Sequence, residues 1–195
     1  MKHEKKDFES MLDKAKEKRS LSTSELDLVR TELMSPNTTE DPYTLLHIIG
    51  KANDYSALPI VNDYLHYGID NQGDDGMMRR LAVQILGQWW KVDEAFTEIR
   101  GMAFEDPSPL VRAAAASAIG NLALEHPELR RFAAGSLIRG IELFATEQRD
   151  VWGSFYVGML KLVGVDPKLW PVNPGGLQPE DLDPAVLSTI NKLAG

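Results

Sequence analysis

Four glycines at nearly even spacing constrain this chain more than any other feature. Gly50, Gly87, Gly120 and Gly158 lie 37, 33 and 38 residues apart, and each closes a short stripe of small or apolar residues. The stripe reads Leu45, Ile48, Ile49 and Ala52 in the first copy and Ala82, Ile85, Leu86 and Trp89 in the second. It reads Ala115, Ala118, Ile119 and Leu122 in the third and Gly153, Tyr156, Val157 and Leu160 in the fourth. Steps of about three, one and three residues keep one face of a helix turned inward. A glycine inside a helix costs about 1 kcal/mol against alanine, so four at equivalent positions require close approach of a neighbouring helix. A period of this length without strand signals predicts stacked helix pairs, each burying its apolar face against its neighbours.

The third copy, Asp106 to Leu122, resembles the first helix of a HEAT repeat: Asp106, Pro107, Val111, Arg112, Ile119 and Gly120 match that pattern. The second copy keeps Asp75, Arg79 and Gly87. The first keeps Asp41, Pro42, Ile49 and Gly50 but has Pro42 where the arginine would stand, and the fourth departs furthest, with Asp150 at that position. The resemblance implies an all-α fold, an α-α superhelix of about four helix pairs with capping helices at both ends. It implies scaffolds and binding surfaces and names no chemistry.

The expected organisation is one domain over residues 1–195. Residues 1–36 are expected to form N-terminal capping helices, with Ser22 and Glu25 as a capping box. Residues 37–165 hold the repeats, and 166–195 a wrapping loop and a C-terminal capping helix. Each glycine helix is followed by a second helix: Tyr55 to Tyr67, Asp93 to Phe104, and Pro127 to Phe144.

The formal net charge is −8, and there is no cysteine. Residues 41–150 carry 16 acidic and 10 basic groups, against 9 and 8 in residues 1–40 and 4 and 3 in residues 151–195. Nucleic-acid binding needs a basic stripe to neutralise phosphates, so no nucleic-acid partner is expected and a basic protein is the better electrostatic match. The same carboxylates would also serve as plain solvated faces. No apolar run reaches membrane-spanning length and no signal-peptide pattern opens the chain, which together with the lack of cysteine leads to an expectation of a cytoplasmic protein without membrane contact.

No motif announces catalysis, so no catalytic residue and no cofactor are expected. Asp70 to Leu81 has the look of a calcium loop but places Asp75 where glycine is needed and Leu81 where a bidentate glutamate is needed. His3, His47, His66 and His126 make no HxxxH or HExxH spacing, so no metal site is expected. His66 has Asp63 one turn earlier as its expected partner. In helix-pair solenoids the second helices usually line the concave side, where partners bind. The candidate binding residues there are Asp63, His66, Tyr67, Trp90, Glu94, Glu98, Arg139 and Glu142, with Trp89 expected in the core and Trp90 either in the core too or at the groove edge. Among aromatic candidates, Trp152 with Phe155, and Tyr64 with Tyr67, share helix faces.

The function expected first is a non-enzymatic interaction module that grips a basic protein through an acidic concave face. Its concrete version is an immunity or inhibitor protein against a nuclease-type toxin. The alternatives are an adaptor or assembly factor, or an enzyme or ligand-binding protein on the same scaffold, as in alkylpurine glycosylases and bilin lyases, which resemble HEAT solenoids.

Overall fold

The computed structural model describes residues 7–35, 37–69, 76–144 and 148–195. Among these the chain is all-α, with helices and short 3-10 turns and no strand. Helices α1 (Phe8–Lys16) and α2 (Thr23–Leu33) come first. Ser22 closes the predicted capping box: its hydroxyl accepts from the Glu25 amide, and the Glu25 carboxylate accepts from the Ser22 amide. Both helices pack on α3 (Pro42–Ala52), burying Phe8, Ala15, Val29 and Leu33. Asp41 caps α3 by accepting from the amides of Tyr43 and Thr44.

The repeats follow in two layers. The first layer holds α3, α5 (Met77–Gln84), α7 (Pro109–Glu125) and α9 (Arg149–Leu162), each packed against the next. The glycine stripe runs through these contacts. A Cβ on Gly50 would lie 2.6 Å from Ile85, and one on Gly87 2.6 Å from Ala118. One on Gly120 would drive into the backbone of Gly158, so at that crossing the two main chains touch and only glycine fits on both sides.

The second layer holds α4 (Leu58–Asp63), α6 (Phe96–Glu105) and α8 (Arg130–Phe144). Each opens with a 3-10 turn, at Tyr55–Ala57, Asp93–Ala95 and Pro127–Leu129, and α4 tightens again at Tyr64–His66. Beyond α9, Pro174–Gly176 lies on Gly153, where a Cβ would collide with the Pro174 carbonyl. Helix α10 (Pro184–Ala194) then packs on α8 and α9, its capping residue Asp183 donating its amide to the Tyr156 hydroxyl at 2.9 Å.

A buried ion pair locks the second repeat to the third. Arg79, 1% exposed, donates from Nε to Asp106 Oδ2 at 2.9 Å and from Nη2 to Oδ1 at 3.2 Å. Its Nη1 also donates to the Tyr67 carbonyl at 2.8 Å. Arg112, the same position one repeat later, has no aspartate to meet: it donates to the Asp106 carbonyl and to the Gln148 side chain.

Trp89 departs from expectation. After Gln84 the helix widens into a π-turn over Ile85–Trp89, closed by a 2.8 Å bond from the Trp90 amide to the Ile85 carbonyl. A π-turn holds one residue more than an α-turn, so every later side chain is carried round the axis by one position. Trp90 therefore takes the inward place, 5% exposed, with Nε1 donating to the Gly50 carbonyl at 3.2 Å. Trp89 is turned to the flank, half-buried under the Lys51 ammonium, which stands 3.7 Å from its ring centroid. Trp90 is thus a core residue and no part of a groove edge.

Candidate functional site

The second-layer helices bury Val61, Phe96, Ile99, Ala103, Ala133 and Leu137 inward, which leaves their polar positions facing out. That outer face carries seven of the eight candidate binding residues; Trp90 alone is inside. Asp63, His66, Tyr67 and Glu94 are exposed, Glu98 is half-buried, and Arg139 and Glu142 are exposed on α8.

His66 does not pair with Asp63. Its Nε2 meets Glu98 Oε1 at 2.6 Å, a contact that bridges the end of the first second-layer helix to α6. Tyr67, 45% exposed, stacks on Tyr64 with ring centroids 5.2 Å apart. Burial raises the Tyr64 hydroxyl above the ordinary tyrosine range, so it stays protonated beside its partner. Trp152 and Phe155 are core: Phe155 presses on Gly140, stacks with Phe144 and lies tilted against Phe104.

The turns that open α6 and α8 lie side by side, and carboxylates gather there: Asp93 and Glu94 on one turn, Glu128 on the other, and Glu125 at the end of α7 just before it. Lys91 holds Glu125 below the usual carboxylate range across a 2.5 Å ion pair. His126 Nε2 lies 2.7 Å from the Lys91 carbonyl and must donate to it, which leaves Nδ1 facing Glu128 Oε1 at 3.8 Å. One ligand atom each of Asp93, His126 and Glu128 falls within 4.8 Å of the others, an arrangement that could take a divalent cation with His126 in the tautomer its carbonyl partner selects. No local spacing announces this group, because its members come from two separate turns.

Some carboxylates counted towards the acidic surface are spent elsewhere. Asp54 is buried against Arg30 and Ser56, and Asp41 caps α3. Asp70, Asp74 and Asp75, and with them half of the calcium-like loop, lie outside the described residues.

Past the acidic turns the sign changes. Between α6 and α8 runs a groove of about 550 Å³ whose walls include Arg100, Phe104, Arg131, Phe132 and Arg139. The Arg139 guanidinium sits 5.1 Å from the Phe104 ring centroid. Sequence reading picked out Arg139 alone; the other two arginines carried no signal, because their convergence depends on the pairing of two distant helices. A second cavity, of about 870 Å³, is flanked by Lys16, Lys18 and Lys51 near Trp89. These lysines sit at the C-terminal ends of α1 and α3, where cations offset the unpaired carbonyls. His47 beside them is pushed below its ordinary pKa first by burial and then by Lys51 and Lys16.

No helix among the described residues is long and apolar enough to cross a membrane. Residues 98–126, from within α6 to the end of α7, match the HEAT repeat family model. No curated protein and no solved structure matches the chain. The chain carries a HEAT repeat, and its paired, stacked helices make it an all-α helical solenoid of the HEAT-like repeat kind.

Proposed function

We propose that the protein is a non-enzymatic interaction module that receives a basic protein partner on its second-layer face. HEAT repeats generally mediate protein–protein contacts, which supports the interaction reading. The observation that carries the choice of partner is the gathering of Asp93, Glu94 and Glu128 at the adjoining turns of α6 and α8, with Asp63 and Glu98 on the same face. Carboxylates held together on rigid helix starts raise the local concentration of a cationic surface and fix its register. The concrete form of this reading is an immunity or inhibitor protein, in which the acidic face stands in for nucleic-acid phosphate before a nuclease-type toxin. It acts in the cytoplasm, without cofactor or nucleic-acid partner.

The test is affinity capture of the tagged protein from its native lysate at low and high salt, followed by mass spectrometry. A stoichiometric basic partner released by salt is expected, because exposed charge pairs are screened over about 8 Å at physiological ionic strength. The triple reversal Asp63→Lys, Glu94→Lys and Glu98→Lys should abolish its capture. Retention of the partner by that variant would remove the acidic face from the account.

A further inference from the structure

The groove between α6 and α8 has the opposite sign from the acidic turns beside it. Among the described residues four arginine side chains have neither a hydrogen bond nor an ion pair, namely those of Arg80, Arg100, Arg131 and Arg139, and three of these four line this one groove. In a chain of net charge −8 such a concentration of unpaired guanidinium groups is a directed feature. Glu105, also on the wall, forms no ion pair with them.

The groove floor is unusual too. Gly101 and Gly135 lie inside helices, yet a Cβ on either would meet nothing within 4 Å. Their absence of side chain serves no packing within the chain, unlike that of Gly120 or Gly158. It leaves room for another backbone to approach two helix surfaces closely. Phe132 stands at the rim 61% exposed, an apolar ring with no internal partner to cover it, and Phe104 lies half-buried beneath Arg139.

We propose that this groove binds an acidic peptide segment carrying an apolar residue. The arginines would take its carboxylates in forked, two-bond contacts, for which a guanidinium is shaped, while the apolar residue covers Phe132. The sign of the neighbouring surface selects a peptide over a nucleic acid. A phosphate backbone long enough to bind would leave the groove and run against Glu98 and Glu142 on the same two helices, whereas a short acidic segment ends where the arginines end. The inference rests on the interaction reading above and adds to it a second, oppositely charged contact.

The test is fluorescence anisotropy with a labelled synthetic peptide of aspartate and glutamate around a central leucine. A lysine-rich peptide of equal length and a single-stranded oligonucleotide serve as comparison probes. The acidic peptide should bind in a salt-dependent manner. The double variant Arg131→Glu/Arg139→Glu should weaken it by about tenfold or more, and Phe132→Ser should weaken it without changing its salt dependence. All three substituted positions are exposed, so far-ultraviolet circular dichroism should be unchanged. No binding of the acidic peptide up to about 1 mM, equal affinity in the double variant, or tighter binding of the oligonucleotide would each overturn the proposal. The triple reversal at Asp63, Glu94 and Glu98 should leave acidic-peptide binding intact, so failure of the basic-partner reading and failure of this one are separable.

Discussion

Lys161 offers the sharpest test of how this core is held. It lies on α9, 7% exposed, with no carboxylate partner among the described residues; its ammonium donates to Ser117 Oγ at 2.7 Å and stands 5.3 Å from the Trp170 ring centroid. Burial lowers its pKa from 10.5 to about 8. At 1.36 kcal/mol for each unit between those values, holding the charge inside costs about 3 kcal/mol of stability when both states are protonated. The folded pKa is the lower one, so below about 8 the cost is present in full. Between about 8 and 10.5 the unfolded chain binds more protons, stability rises with pH, and above 10.5 the cost is gone. Lys161→Met keeps the aliphatic stem and removes the charge. Loss of the bond to Ser117 takes back about 1–2 kcal/mol, so the variant should be more stable than the parent by about 1–2 kcal/mol at neutral pH. The measurement is urea unfolding followed by tryptophan fluorescence at several pH values from about 7 to about 10.5, read as the difference between the two proteins, which cancels tyrosine titration. That difference should shrink and then reverse as pH rises. A variant less stable at neutral pH, or a gap that does not change with pH, would refute the argument.

Asp106→Ala leaves the Arg79 guanidinium buried without its counter-charge and should cost about 3–5 kcal/mol in chemical denaturation. The double variant Arg79→Met/Asp106→Ala should regain part of that loss, since it no longer strands a charge. The glycines should split by location. Gly120→Ala forces a Cβ into the Gly158 backbone and should lower stability by about 3 kcal/mol or more. Gly101→Ala meets nothing and should raise it by about 0.5–1 kcal/mol, both read as shifts in the urea midpoint.

The fold was legible because its signals are local or periodic. Ser22 and Glu25 form their capping box within one turn, and the inward stripe before each glycine follows directly from the helical repeat. Trp89 was not legible, because counting from Ala82 and Ile85 assumes an unbroken α-helix, and the π-turn at Ile85–Trp89 carries Trp90 into the inward place instead. The placement of the two rings also answers to Gly50. A Cβ there would lie 2.6 Å from the Trp89 ring, and the Gly50 carbonyl is the acceptor for Trp90. The glycine that admits a close neighbour thus admits one indole edge and anchors the other.

The surface was harder to read than the core for a physical reason. Charge counted along a sequence assigns every carboxylate to solvent, but pairing and capping withdraw some of them: Asp54 goes to Arg30, Asp41 to the start of α3, Asp106 to Arg79. Cations are withdrawn by the same process, and those left over define the field a partner meets. Here the remainder is divided in space, with carboxylates on the turns that open α6 and α8 and unpaired arginines in the groove between their bodies. A uniform net charge would attract any basic surface and set no orientation. A face with two signs a few turns apart prefers a partner whose charges alternate in the same order.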